Sequence, residues 1–450
     1  MRVLVWCPLV SLGGGIRLLL RLVPGLARQP GIDLVRLAVP EELVTGGQVT
    51  LPPTPGVELW PIPARRPVRT PRDWLLEDGR ILGVKGTGIL KRALRRRLLS
   101  GAPDWESERL DAAAHGCDVI YYFWPHLQPV PTTELPLVCT VQDVTLLEFP
   151  EILGTGITRA EWASMAAWLQ RSRRVVVSSD ATRHKLERMF GPPATEPAVI
   201  HHAISPAVPS ADPRVRPRPG LPPRYVVYPA NITVHKNHYT LLVAWARFAR
   251  RRELPLVLFG SGTDAINARA PEWPDHWQHA RLAAVAERHG LEPGVDFHAL
   301  GYVDDAEVTA IVRGAAALIM PSLAEGGGSY PVEEALDLGV PVLCSDIPVM
   351  REHLARRTAR VGWFDPESPD AIVAALDGLL DDYDAARASA VRGMHDPRPS
   401  WDDVAAEYAA VLRAACAPAT SSSRRPASPT PGSRTPGSRT SASRAATPSA

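Results

Sequence analysis

The sequence predicts two doubly wound α/β domains facing a central cleft, followed by a disordered tail. Three observations predict it. Short unbroken apolar runs alternate with amphipathic stretches, in two successive series. A proline-dense segment separates the series, and residues 417–450 hold almost nothing that could be buried. At 450 residues the chain exceeds what one ordinary core supports and suits two.

The first series comprises Val3–Cys7, Leu34–Val39, Val119–Phe123, Leu137–Val141 and Val175–Ser178. Apolar runs without polar alternation are buried on both faces, as in parallel strands covered by helices. They define a first domain over 1–205. Pro206–Arg224, PAVPSADPRVRPRPGLPPR, cannot be helix or central strand, because proline fixes φ and lacks a backbone donor. We read 206–224 as a linker. The second series, Tyr225–Tyr228, Leu256–Phe259, Ala317–Met320 and Val342–Ser345, defines a domain over 225–399. Behind the cap-like Ser400, residues 400–416 read as an amphipathic helix expected to pack back on the first domain. The tail 417–450, with its tract TPGSRTPGSRT, has the composition of disorder.

Apolar and charged fractions of 45% and 22% are those of a soluble globular protein. A net charge of +2 excludes nucleic-acid binding by bulk electrostatics. The cysteines Cys7, Cys117, Cys139, Cys344 and Cys416 are odd in number and form no CxxC pair. They suit free thiols in a reducing compartment, not a disulfide framework or zinc site. The N-terminal run MRVLVWCPLV is brief and reads as a first buried strand, not a signal peptide. No run approaches the ~18 apolar residues that span a bilayer. The expected location is cytoplasmic. Between Arg65 and Arg97 eleven Lys/Arg face three Asp/Glu, interleaved with leucines. Two readings stand for 65–99: peripheral contact with the anionic inner membrane face, or a surface helix whose arginines lie over their own domain.

The most informative stretch is Pro321–Ser345, PSLAEGGGSYPVEEALDLGVPVLCS. A strand runs into Gly326, Gly327 and Gly328, and Ser329-Tyr330-Pro331 opens a helix. Glycines permit close backbone approach, and a helix amino end offers unpaired N–H groups and a positive dipole. A diphosphate fits there. Glu325 ends a parallel strand, a usual ligand position. Glu333 and Glu334 suit a first helical turn whatever the function. Neighbours in a helix point about 100° apart, so one of the two faces the cleft. Lys236, in a strand-to-helix loop with His235 and His238, is placed to neutralise phosphate oxygens.

This segment resembles the signature of family 4 glycosyltransferases, retaining nucleotide-sugar enzymes of the GT-B architecture. Glu325, Gly326 and Gly328 match its first positions, and Glu334-Ala335-Leu336 its last, which favours Glu334 for the ribose. Gly339-Val340-Pro341-Val342 and Ser345-Asp346-Ile347-Pro348 match further. The resemblance is close over Tyr225–Glu352 and loose over 1–205. It implies donor-binding roles for Asn231, Gly260, Tyr302, Gly326, Gly327, Gly328 and Ser329, and for Gly13, Gly14 and Gly15 from the first domain. It implies catalytic roles for Glu325 and Lys236. Three positions depart from the pattern: Asn231 replaces an arginine, Phe123 a histidine and Gln142 another histidine. His126 and Asp143 are the candidates left in the first domain.

The implied reaction is mannosyltransferase-like: a sugar passes from a nucleoside diphosphate to a hydroxyl of a carbohydrate or lipid-linked acceptor, in polysaccharide or glycolipid assembly. No cofactor or metal is expected; Asp382-Tyr383-Asp384 reads as a solvated face. Two rivals remain, a sugar-nucleotide epimerase on the same scaffold and a non-catalytic binding protein with a decayed site. The base, sugar and acceptor stay open.

Overall fold

The computed structural model describes residues 1–8, 15–63, 105–152, 155–193, 195–203, 218–267 and 277–418. The basic segment, Gly13, Gly14 and most of the proline-rich stretch lie outside these residues, as does the tail from 419 onward.

The first sheet collects β1 (Arg2–Trp6), β2 (Leu34–Pro40), β3 (Val57–Ile62), β4 (Val119–Tyr122), β5 (Leu137–Val141), β6 (Arg174–Val177) and β7 (Ala198–Val199). They run parallel in the order β3-β2-β1-β4-β5-β6-β7. Its helices are α1 (Gly15–Ala27), α2 (Glu41–Thr45), α3 (Trp105–Ala114), α4 (Thr145–Glu148), α5 (Thr155–Arg171) and α6 (Asp180–Phe190). Both faces of the sheet are covered. In β1, Val3 and Val5 enter one apolar cluster while Leu4 and Trp6 enter the other. The unbroken apolar run of a doubly covered parallel strand follows directly.

The second sheet is also parallel, in the order β10-β9-β8-β11-β12-β13. Its strands are β8 (Val226–Pro229), β9 (Leu256–Phe259), β10 (Phe297–Ala299), β11 (Ala317–Met320), β12 (Val342–Ser345) and β13 (Val361–Phe364). Around it lie α7 (His238–Arg247), α8 (Trp277–Arg288), α9 (Asp305–Gly314), α10 (Tyr330–Asp337), α11 (Pro348–Leu354), α12 (Pro369–Asp381) and α13 (Tyr383–Gly393). In each sheet the strand order reverses at one point, between β1 and β4 and between β8 and β11. Ligands of open parallel sheets bind beyond the carboxyl ends of the strands at such points.

A last helix, α14 (Trp401–Cys416), returns to the first domain. Val404, Ala405, Tyr408, Ala409 and Leu412 are buried in the same cluster as Leu19, Leu22 and Leu26 of α1. Gly25 allows this approach, since a Cβ there would lie 2.9 Å from the Ala405 methyl. Ser400 caps the helix: its Oγ accepts from Asp403 N at 3.1 Å, and the Asp403 carboxylate accepts from Ser400 N at 2.8 Å. All five cysteines are free, four of them buried. Among the described residues no helix is long and apolar enough to cross a membrane.

Candidate active site

The loops after β8 and β11 flank the second sheet's reversal point, and the sequence ties them together. Asn237 adopts the left-handed conformation at φ 59° and is buried. Its Nδ2 donates to Pro321 O at 3.0 Å and Pro366 O at 2.7 Å. Leu323 N donates to His235 O at 2.7 Å, and the Tyr228 hydroxyl to Lys236 O at 2.5 Å. Lys236 is thereby aimed at the end of β11, where its Nζ donates to Glu325 Oε1 at 2.6 Å. Side-chain exposures of 19% and 10% put this pair mostly out of water.

Gly326, Gly327 and Gly328 follow Glu325 and meet the first domain, not open space. A Cβ at Gly326 would overlap the Gln142 carbonyl oxygen; one at Gly327 would lie 2.7 Å from Ser178 Cβ and 2.8 Å from His202 Cδ2. Gly328 has φ +97°, and a Cβ there would overlap the His353 ring. The Gly326 carbonyl accepts from Ser179 Oγ at 2.6 Å and Thr182 Oγ1 at 3.2 Å. Ser329 is buried at the amino end of α10 and makes no side-chain cap, with Pro331 in the first turn.

The two adjacent glutamates have different surroundings. Glu333 is bound by Arg357, whose Nε lies 2.6 Å away, with His353 Nε2 at 3.2 Å. Burial works against its charge, but His353 and Arg357 hold its carboxyl below the ordinary range. Arg357 also bridges to Asp337 at 2.9 Å, and Arg398 joins the same aspartate. Glu334 instead accepts from Arg17 Nη1 of α1, across the cleft, at 3.3 Å. Glu333 belongs to a packing network within its own domain; Glu334 faces the other one.

From the first domain, Asp143 lies at the end of β5, where its Oδ1 accepts from Thr145 N at 2.8 Å. Its Cβ is 2.8 Å from where a Gly326 Cβ would sit. Asp143 and Glu325 both act on the charge of His235, which burial first and Lys236 second hold down to about 4. Lys236, Glu325 and Asp143 therefore converge around one loop. His126 is set back from them. It is buried, with Nδ1 2.7 Å from Glu161 Oε1, and Glu161 Oε2 accepts from Leu127 N at 2.6 Å. Burial opposes its protonation, yet Glu161 and Asp143 raise its pKa overall. Gln142 Oε1 pairs with His202 Nε2 at 2.9 Å. Burial, then His353 and His201, push His202 down to about 3, so it stays neutral.

At the far side of the second sheet three strand ends meet. Gly260 has φ +134°, and a Cβ there would lie 2.5 Å from the Ala230 carbonyl. Gly260 N donates to Gly301 O at 2.8 Å. Asn231 is exposed, and Tyr302 is 75% exposed beside Gly301. Gly15 is buried as the first residue of α1. Asp382 is held by Arg360 at 2.6 Å, away from this cleft's loops.

Sequence reasoning missed Arg17, Glu161, Ser179, Thr182, His202 and Glu352. Ser179-Asp180 carries a readable cap signal: Ser179 Oγ accepts from Thr182 N at 3.1 Å. The others have no local signature.

Residues 213–393 match the family model described as glycosyl transferases group 1. The chain is 26% identical to O-antigen chain mannosyltransferase B of Escherichia coli over 274 residues, 59% of this chain and 67% of that one. It is 24% identical to glycogen synthase of Mycobacterium tuberculosis over 338 residues, 73% and 74% of the two chains. These matches support a GT-B glycosyltransferase. The fold agrees. Sucrose-phosphate synthase of Thermosynechococcus elongatus superposes with a TM-score of 0.57 at 16% identity, covering 92% of this chain and 96% of that one. Anabaena Alr3699/HepE, solved with UDP-glucose, gives 0.56 at 14% identity, covering 92% and 95%. The two parallel sheets are thus those of the GT-B fold, and Lys236, Glu325 and Asp143 lie where the two sheets' loops meet.

Proposed function

We propose that the chain is a retaining glycosyltransferase of the family 4 type. It moves a hexose from a nucleoside-diphosphate sugar to a hydroxyl of a carbohydrate or lipid-linked acceptor, in polysaccharide or glycolipid assembly. The observation that carries this reading is the Lys236–Glu325 pair, 2.6 Å apart at the reversal point of the second sheet, with Asp143 of the first domain packed against the next residue, Gly326. The names of the mannosyltransferase and glycogen synthase relatives, and the UDP-glucose held by the Anabaena neighbour, accord with it.

In this reading Lys236 leaves Glu325 when the donor enters and stabilises charge growing on the departing diphosphate. Glu325 then holds hydroxyls of the transferred sugar close to its developing positive charge. Glu334 takes the ribose, with Arg17 as its counter-charge. Gly260, Tyr302 and Asn231 border the base, and Gly13, Gly14 and Gly15 approach the phosphates from the first domain. Asp143 faces the reacting sugar, and His126 acts through it from behind. The transfer needs no metal or cofactor, because Lys236 and backbone N–H groups supply the positive field. The location is cytoplasmic, and the basic composition of 65–99 suits either peripheral contact with an anionic membrane surface or a surface segment over its own domain.

A thermal-shift screen with UDP-, GDP- and ADP-sugars selects the donor, since ligand binding raises apparent stability. NMR of the product's anomeric proton then reads retention or inversion. Lys236→Ala should lower turnover about 10²-fold or more. A loss under threefold with donor saturating overturns the assignment.

A further inference from the structure

We propose that Glu352 is a positioning residue for the transfer: its carboxylate, seated on the amino end of α6 and on His201, latches the domains together and sets Gly326–Gly328 against the first domain. The latch is a statement about the fold, and its effect on turnover rests on the transferase reading above.

Glu352 belongs to α11 of the second domain, and everything it binds belongs to the first. Oε1 accepts from Asp180 N at 2.6 Å and lies 2.6 Å from His201 Nε2, while Oε2 accepts from Ala181 N at 2.9 Å. The first N–H groups of a helix have no partner within it, and the dipole there favours an anion. Ser179 Oγ satisfies Thr182 N in the same turn. The cap of α6 is therefore built in two halves, one by its own domain and one by the opposite domain. Only the closed arrangement completes it.

The latch is continuous with the glycine loop. Ser179 and Thr182, which flank the amides that hold Glu352, donate to the Gly326 carbonyl. His353, next to Glu352, packs its ring against Gly328. Ser179–Thr182 thus grips both the loop and α11. Opening the cleft would separate Glu352 from all three partners and release Gly326 in the same motion.

Two variants reach the contact from opposite sides. Glu352→Gln removes the charge and leaves one acceptor oxygen. Asp180→Pro deletes one of the donated N–H groups without disturbing α6. Proline suits the first helical position, and Ser179 before it is extended at φ −158° and ψ 158°. Asp180→Asn keeps the N–H and controls for the Asp180–Arg183 pair. Charge-assisted bonds are about twice as strong as neutral ones, so losing the charge should cut the closed population about tenfold. Small-angle scattering of the full chain without ligand should give a larger radius of gyration for Glu352→Gln and Asp180→Pro. It should give an unchanged one for Asp180→Asn. At saturating donor kcat should fall about tenfold in the first two, with KM for donor within twofold. Scattering that superposes on wild type in both overturns the latch. Expansion with undiminished kcat overturns the positioning role. If Glu352→Gln fails to fold, Asp180→Pro decides alone. If wild type transfers no sugar from any donor, the transferase reading fails while scattering still decides the latch.

Discussion

The Lys236–Glu325 pair admits a test that separates catalysis from scaffolding. At 2.6 Å the charges attract by about 6 kcal/mol at an effective dielectric constant near 20. Taking both from water costs a comparable amount, so the pair as a unit adds little to stability. Removing one partner is different, because the other is left buried alone. For Lys236→Met, which keeps the apolar stem, we expect a loss of about 3 kcal/mol, near the lower end for such pairs because Lys236 retains 19% exposure. For a domain of this size the melting temperature falls by about 6–12 °C. Lys236→Met/Glu325→Gln removes both charges and should melt within a few degrees of wild type. Turnover should not follow. Nucleoside diphosphate release at saturating donor should be down about 10²-fold or more in Lys236→Met and no better in the double variant. Recovery of more than a tenth of wild-type turnover together with stability would make the pair structural and refute the reasoning.

Glu334→Gln should raise the donor KM about tenfold with little change in melting, whereas Glu333→Gln should cost about 3 kcal/mol, because Arg357 is only 4% exposed, and leave KM alone; the reverse pattern would exchange their roles. Gly326→Ala should lower turnover about 10²-fold, since a methyl overlapping the Gln142 carbonyl forces the loop off its seat, and full activity there would disprove the need for close approach. Burial, then Lys236, hold His235 near 4, while burial holds His202 and His238 near 3, all below the ordinary value of about 6.5. Below pH 6.5 the unfolded chain therefore binds protons that these sites refuse, so the stability they contribute is whole above 6.5 and drains away towards pH 3–4. His238 is buried, and burial is the first cause of its lowered proton affinity, so His238→Leu should flatten the fall in unfolding free energy between pH 6 and 4.5 by about 1 kcal/mol per unit; an unchanged slope in denaturant titrations refutes this.

The strands legible in the sequence are those covered on both faces. Val3–Trp6, Ile319 and Leu343 are wholly buried, and their apolar runs say so. The strands that escaped are short or marginal. β3 carries Glu58 and Pro61 at the sheet's edge, β13 is half-exposed over Val361–Trp363, and β10 spans three residues. An edge strand needs no continuous apolar run, so it leaves no such signal. The site divided in a similar way. Lys236 and Glu325 could be read because each lies in the loop after a strand, within its own local pattern. Arg17 and Glu334 lie 317 positions apart, and Asp180 and Glu352 172. Nothing local marks a residue whose partner is supplied by the other domain. His126 was legible as a candidate, but its burial against Glu161 was not, because Glu161, the one acid of helix α5, lies 35 positions away with nothing local to pair the two.

Three consecutive glycines were attributed to close approach by a ligand, and the fold adds a second demand on the same positions. Gln142, Ser178 and His202 of the first domain, with His353 of the second, occupy the space that side chains at 326–328 would need. A side chain at 326 or 327 would hold the domains apart whether or not a diphosphate were present, and one at 328 would displace His353 within the second domain. The loop is therefore a joint, whatever ligand it meets. Its Gly326 carbonyl is fixed by Ser179 and Thr182, and Glu325 immediately before it is fixed by Lys236. On the transferase reading proposed above, a donor that drew Lys236 away from Glu325 would act on one end of the loop while the first domain holds the other. The charge pair and the contact between the domains consequently meet in a single peptide unit, Glu325–Gly326, so a change at either is felt by the other.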